Sequence, residues 1–354
     1  MPTSQTIKLI EWVDDSLRIV DQSSLRERVH YLNIYSLKEL LHAIRADRLR
    51  GRATIEIAIA FGLYLEMSEF DENRSADDFM AYLERTAHSL AVSLSDRGSF
   101  SAVLGRFVHR ADRIRHASSI AGIKQSLLNE ANHGYSDHMI RCWRIGEIGF
   151  DLIRNKRSLL TLGDTGSLGS ARFGIPLAPV YQAAEQKIVL PVFIYETCQT
   201  VQATRLMAFE LARAGIPCTI VSEGAVAAVL SQHRADAVII SADRIDSKGN
   251  CAVALGGHGL ALMARALGTP VYVMARASAI ETSCQLAEEY WVDHINVANS
   301  PARSKDVPSS ARVSIFAPRF DIIPEGIVDA IVTDEGILNY PFAEELQRLG
   351  ATRP

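Results

Sequence analysis

Residues 235–277, ADAVIISADRIDSKGNCAVALGGHGLALMARALGTPVYVMARA, constrain the fold more than any other stretch of the chain. Ala235 to Ser241 is a short apolar run rich in Val and Ile, the pattern of a strand covered on both faces. It stops at Ala242-Asp243-Arg244. Gly249 and the Gly256-Gly257 pair then punctuate a loop. Ala261 to Leu267 continue with helical spacing, and Pro270 to Met274 is a second buried strand. Buried strand, helix, buried strand is a parallel βαβ unit, and such sheets bind ligands off the carboxyl ends of their strands. Asp243 is therefore the first candidate for chemistry. An acid in that position also serves as a loop or helix cap, and both readings stay open.

The rest of the chain divides by texture. Ile7 to Val20 has two short apolar stretches around Asp14-Asp15 and predicts a hairpin, and Val29 to Ile34 continues an extended pattern. From Ser36 the period changes to that of helices, with Ser36 and Glu39 as a capping box. Arg48 to Arg52 (RLRGR) precedes an apolar helix over Ile55 to Met67, which Thr54 would cap. Helix-start amides beside arginines make an anion site, although such a knot is more commonly a solvated loop. A further helix covers Asp77 to Leu94, and Arg97 follows it. His133 to His138 (HGYSDH) reads as a loop. Beyond Arg154 to Arg157, strands alternate with helices: strands at Ser158 to Leu162, Lys187 to Tyr195, Cys218 to Val221 and Ala330 to Thr333, and a loop at Phe320 to Glu325. This alternation predicts an α/β fold with a doubly wound parallel sheet. The expected domains are 1–150, mostly helical with a short β-hairpin, and 151–354, the α/β domain.

Composition excludes several function classes. With 354 residues and a formal charge of -4, the chain has no electrostatic case for nucleic acid or an acidic membrane. It has no apolar run of spanning length and no signal-peptide core at Met1 to Trp12, so a cytoplasmic location is expected. The five cysteines are scattered without a CxxC pair, and His133 and His138 are wrongly spaced for ligands on one helix face, so no metal is expected. The loop Gly163-Asp164-Thr165-Gly166-Ser167-Leu168-Gly169-Ser170 follows a strand and lets backbone approach a phosphate, with Gly166 and Ser167 as candidate contacts. It is neither a Walker loop nor a dinucleotide fingerprint, which disfavours a dehydrogenase.

Taken in order, IEW, RG before an apolar helix, LLTLGDTGSLGS, YET followed by Gln202, Arg205 and Glu210, VIISADRI, and FDIIP before VDAIVTDEGI resemble the methylthioribose-1-phosphate isomerases. Ribose-1,5-bisphosphate isomerase and the regulatory subunits of the initiation factor 2B complex are similar. The resemblance runs from about Ile7 to Ile337. It implies a small helical domain on a Rossmann-like domain, a homodimer, and conversion of an aldose 1-phosphate to a ketose 1-phosphate with no cofactor. It places the catalytic aspartate at Asp243, the phosphate-side arginines at Arg50 and Arg97, and the glutamine after YET at Gln202. The family's cysteine, in a THCN-type segment, falls on Gly163 of TLGD, and the next residue is Asp164. Its Asn-Lys pair falls on Val253-Ala254. RGAPAIG becomes RGRATIE, which keeps Gly51 and brings in Arg52 and Glu56, and Thr-Tyr becomes Gly257-His258.

Moving hydrogen between C1 and C2 of an opened sugar needs a base at carbon and an acid at the carbonyl oxygen. Asp243 and Asp164 are the expected pair, since two carboxylates in one pocket push their pKa values apart. His258 is a third candidate proton carrier or a substrate contact, although a lone histidine in a glycine-rich loop is more often structural. The expected partner is a phosphorylated sugar. The alternative is a non-catalytic sugar-phosphate- or nucleotide-binding regulatory protein, favoured by the loss of thiol, amide and lysine together.

Overall fold

The computed structural model describes residues 7–25, 28–94, 100–163, 174–197, 200–281, 318 and 320–351. Arg97, Asp164, Gly166 and Ser167 lie outside these residues. The chain forms two compact units, one containing Ile7–Ile140 and the other beginning at Arg141.

In the first unit β1 (Ile10–Val13) and β2 (Ser16–Val20) form the expected hairpin, and β3 (Tyr31–Ile34) pairs antiparallel with β2. The hairpin lacks an Asn-Gly turn, but Asp14 and Asp15 both take left-handed φ values, 48° and 53°. That is the backbone a two-residue turn needs to match strand twist, and aspartate is among the residues that tolerate it. Helix α1 (Leu37–Arg45) carries its capping pair: the Ser36 hydroxyl accepts the Glu39 N–H at 3.2 Å, and the Glu39 carboxylate accepts the Tyr35 N–H at 2.8 Å. Helix α2 (Arg52–Ser68) begins earlier than the apolar run, at Gly51 rather than Thr54, and Thr54 is buried inside its first turn. Helices α3 (Ala76–Ser93), α4 (Ser101–Ile114) and α5 (Ile120–Ile153) follow. The HGYSDH segment lies inside α5, with His138 buried. Its local polarity mimics a loop, but apolar spacing on either side carries the helix through. The division between units also falls within α5, at Arg141, whereas the change in sequence texture lies beyond that helix's end.

The second unit contains β4 (Leu159–Leu162), α6 (Ala178–Glu185), β5 (Val192–Glu196), α7 (Val201–Arg213), β6 (Cys218–Ser222), α8 (Val226–Ser231) and β7 (Ala237–Asp246). It continues with β8 (Cys251–Ala254), α9 (Gly257–Ala266), β9 (Val271–Met274), β10 (Ile280–Glu281), β11 (Phe320–Ile323), β12 (Ala330–Thr333), β13 (Gly336–Asn339) and α10 (Ala343–Ala351). The sheet runs β13-β12-β9-β7-β4-β5-β6, parallel except for the β12–β13 hairpin. Numbered by appearance, its parallel strands stand in the order 3-2-1-4-5-6 of a doubly wound Rossmann sheet. Strand order reverses between β4 and β7. With right-handed crossovers, the reversal sends the helices of the two halves to opposite faces. Every residue of β4 and of β12 is buried, as expected for interior strands of such a sheet. Among the described residues no helix is long and apolar enough to cross a membrane.

Two sequence expectations fail here for one reason. Strand β7 does not end at Ala242 but runs on to Asp246, and FDIIP is not a loop but strand β11. Beyond the parallel sheet β7 turns back into β8, which β11 joins antiparallel, while β10 pairs with the tip of β7. Polar residues in ADRID and FDII mark a half-exposed sheet, not a chain break. The turn between β7 and β8 is organised by buried Asp246, whose carboxylate accepts the backbone N–H groups of Lys248, Gly249 and Asn250 at 2.9–3.0 Å and the Asn250 amide at 2.8 Å.

At the opposite, amino-terminal end of the sheet, Arg157 before β4 grips Asp236 before β7. Its N–H, Nε and terminal nitrogen lie 2.6, 3.0 and 2.7 Å from the carboxylate. The Arg157 side-chain hydrogen bonds, more than burial, hold Asp236 below its ordinary 3.8. Folded chains thus stay ionised at Asp236 where unfolded ones are protonated. The stabilisation is whole above the unfolded value and disappears as pH falls through the folded one. Between about pH 5 and about pH 3 the urea midpoint of Asp236→Asn should fall less steeply than that of the wild type.

Candidate active site

Strand β7 sets the site. Ala237–Ile240 pair with β4 on one side, and Val238–Ser241 with β9 on the other. Leu162, the last residue of β4, pairs with Ile240, so past that point β7 has an open edge on which β8 pairs. The two ladders are joined by an irregularity: Ala242 pairs with Val253 and Arg244 with Ala252, leaving Asp243 as the extra residue of a β-bulge. A bulge breaks alternation and re-aims a side chain, and bulges concentrate beside active sites. Asp243 is half-buried, within β7 but just past the part of that strand paired in the parallel sheet, at the point where strand order reverses. Its neighbour Arg244 is paired with Glu281 of β10, Nε to Oε1 at 3.2 Å.

Gly163 closes β4 on the other side of the reversal. Its φ is +87°, and a Cβ built there would lie 3.0 Å from the Cβ of Ala254. Glycine is needed at this position both for its left-handed backbone and for its close approach to β8. Gly256 has φ +95° and starts α9. A Cβ there would meet Thr197 Cγ2 at 3.1 Å, and one on Gly257 would meet Val253 Cγ2 at 2.5 Å. The amino end of α9, with half-buried His258 in its first turn, therefore rests on the carboxyl ends of β4 and β5. Asp321 of β11 lies behind it, accepting the Gly256 N–H at 2.8 Å and the His258 N–H at 3.2 Å.

Asp243, Gly163 and His258 thus gather at one end of the parallel sheet. Gln202 and Arg205 join them from the first turns of α7, the helix after β5, and both are exposed. Glu210, deeper on α7, instead accepts the Tyr181 hydroxyl at 2.9 Å and is buried, a packing role. Arg50, Gly51 and Arg52 belong to the amino-terminal unit. Gly51, with φ +86°, starts α2 without a side-chain cap, and Arg52 is the first residue of that helix. Arg50 is engaged by Asp47, through an ion pair at 3.0 Å and the Asp47 carbonyl at 3.4 Å. Cys251 is no substitute thiol. It is fully buried, donates to the Gly249 carbonyl, and burial, with the Asp246 charge second, pushes its pKa far above the ordinary thiol range. Among the described residues no cluster of His, Cys, Asp and Glu has the arrangement to hold a metal ion.

Asp321, Asp246 and Glu281 did not stand out in the sequence as site residues. The alternating pattern of FDII, read as a strand, is the one signal that would have drawn Asp321 toward β8.

The family model described as the Initiation factor 2 subunit family matches residues 48–340. This chain belongs to that family. The 5-deoxyribose 1-phosphate isomerase of Moorella thermoacetica is 32% identical to it over 345 residues, covering 98% of each chain. The methylthioribose-1-phosphate isomerase of Geobacillus thermodenitrificans is 31% identical over 356 residues, covering 99% of this chain and 98% of that one. Two solved structures share the fold. One is the 5-methylthioribose 1-phosphate isomerase from Pyrococcus horikoshii OT3, with a TM-score of 0.87 at 23% identity over 98% of this chain and 96% of that one. The other is the delta subunit of translation initiation factor eIF-2B from A. fulgidus, with a TM-score of 0.84 at 24% identity over 97% and 99%. The same fold is thus found in a sugar 1-phosphate isomerase and in a translation-factor subunit.

The close approach at Gly163 gives a stability test. Gly163→Ala should cost about 1–3 kcal/mol in urea unfolding, from a left-handed backbone together with the contact on Ala254. Adding Ala254→Gly should return part of that loss by relieving the contact, and leave the part due to φ.

Proposed function

We propose that the chain is an aldose–ketose isomerase acting on a sugar 1-phosphate, with Asp243 as its principal acid–base group. The observation that carries this reading is the bulge that lifts Asp243 out of strand alternation at the reversal of the sheet. In sheets of this class small ligands bind at that reversal. Relatives more than 30% identical over nearly the whole chain, named for 5-deoxyribose 1-phosphate and methylthioribose 1-phosphate, support the substrate class.

The reaction needs no redox partner. An acid protonates the ring oxygen as its bond to C1 breaks, leaving C1 as an oxocarbenium that keeps its phosphate; a base removes the C2 proton to give an enol phosphate; and a proton delivered to C1, with loss of the C2 hydroxyl proton, gives the ketose 1-phosphate. Asp243 carries one of these roles and Asp164 the other. His258, in the first turn of α9, is a contact for the sugar hydroxyls. Arg50 and Arg97 take the phosphate-side role that the family resemblance implies, and Gly51, Arg52, Gly166, Ser167 and Gln202 are further substrate contacts: backbone amides at helix starts and guanidinium groups are the usual partners of a phosphate. The working form is a homodimer in the cytoplasm.

One observation favours a second reading. Gly163 presents no side chain at the end of β4, so a non-catalytic sugar-phosphate-binding protein would use the same sheet end without turnover. A single measurement separates the two. Protein mixed with 5-deoxyribose 1-phosphate or 5-methylthioribose 1-phosphate is followed by NMR. The isomerase reading expects the ketose 1-phosphate to accumulate, with Asp243→Asn slower by about 10²–10⁴-fold, the range for loss of a general acid–base group. Binding without conversion would transfer the assignment to the second reading.

A further inference from the structure

The acids at this end of the fold do different work, and Asp321 is the one whose role reaches the site through another element. It lies opposite Val253 in the antiparallel β8–β11 pair, one strand removed from Asp243. Its Oδ2 accepts two N–H groups, from Gly256 at 2.8 Å and His258 at 3.2 Å. The residue starting α9 is a glycine, which has no side chain to cap the helix, so the cap comes from another strand. A carboxylate on helix-start amides makes charge-assisted hydrogen bonds and meets the positive end of the helix dipole.

The turn it holds has little freedom otherwise. Ala254 abuts Gly163, Gly256 abuts Thr197, and Gly257 abuts Val253, each close enough that a side chain on the glycine would meet its neighbour within 2.5–3.1 Å. These contacts press α9 onto the ends of β4 and β5, but van der Waals contact does not fix rotation about the helix axis. Two directional hydrogen bonds to one carboxylate oxygen do. The same carboxylate occupies the amides on which a phosphate would otherwise settle, so the phosphate end of a substrate is directed away from α9 and toward other donors.

We propose that Asp321 is a positioning residue of the active site, clamping the amino end of α9 so that His258 is held in place over the carboxyl ends of β4 and β5. This rests on the isomerase reading for its consequence, though not for the clamp itself. The test uses Asp321→Ala, the isosteric Asp321→Asn, and formate, a free carboxylate small enough to enter the gap left by the alanine. In Asp321→Ala the Gly256 and His258 amides should exchange with solvent about tenfold faster or more, the change expected for one lost hydrogen bond to a charged group, and formate should slow them again. Amides within β4 and β5 should exchange as before. Asp321→Asn, which keeps volume and one acceptor, should lie between. In turnover of the sugar 1-phosphate, Asp321→Ala should lose about tenfold in kcat with a smaller change in KM, and formate should restore part of it.

Unchanged exchange at Gly256 and His258 in both variants would overturn the clamp. Faster exchange with wild-type kcat and KM would overturn its role in positioning. Absence of turnover in the wild type would count against the isomerase reading alone, and exchange with its formate rescue would still decide the clamp.

Discussion

The backbone hydrogen bonds of β7 carry the site. Over its first half the strand is paired on both sides, by β4 and by β9, and its side chains are buried. Over its second half it is paired by β8 and, at its tip, β10. One strand therefore belongs to a rigid parallel core and to a smaller antiparallel extension, and the misfit between the two ladders is taken up at a single residue, Asp243. A carboxylate at a bulge in a strand anchored at both ends is fixed far better than one on a loop, and acid–base catalysis depends on such fixed geometry.

Around this strand carboxylates act mainly as backbone acceptors. Asp246 closes the β7–β8 turn, Asp321 caps α9, and Asp334, after β12, accepts the Ala277 N–H at 2.6 Å and the Arg141 guanidinium at 2.6 Å. Each sits at a turn or helix start that leaves N–H groups without a backbone partner, and leaving such a group unsatisfied where it is buried costs more than the hydrogen bond itself contributes. This pattern explains why an acid at a strand end is weak evidence for catalysis. Asp243 differs from the other three in its place in the ladder. It is the residue the pairing leaves over, not one that the pairing recruits.

The parallel core was legible because its signal is local: VIIS and VYVM are unbroken apolar runs, and a strand buried on both faces has no other composition. The site was half legible. Asp243 and the glycines at 163, 256 and 257 stand out because their neighbours in sequence are strand residues. Asp321 does not, because its partners lie 63 and 65 residues away and the pattern of FDII announces at most a strand, not what that strand holds. The same distance effect hid β11. A short strand of a small antiparallel extension reads as a loop until the strand it pairs with is known. Within the helices, HGYSDH failed for the opposite reason: a polar, glycine-containing segment is tolerated in a helix as long as α5, where the turns on either side supply the packing.

The shared frame of isomerases and translation-factor subunits places the burden of function on a few residues at the carboxyl ends of the strands, since the sheet serves both equally. Gly163 is the most consequential of them. Its left-handed backbone brings β4 into contact with Ala254, and that contact closes the space in which a side chain from β4 would reach a substrate. With no side chain at position 163, the proposed chemistry falls to Asp164, the next residue in sequence, and to Asp243 of β7, with His258 following the turn between β8 and α9. β7 and that turn are joined by the β7–β8 ladder and, through Val253 and Asp321, by β11. The missing side chain on β4 and the bracing of the other elements are consequently parts of one arrangement: position 163 lies against Ala254 of β8, and β8 leads directly into the turn that sets α9 and His258 at the sheet end where Asp243 emerges.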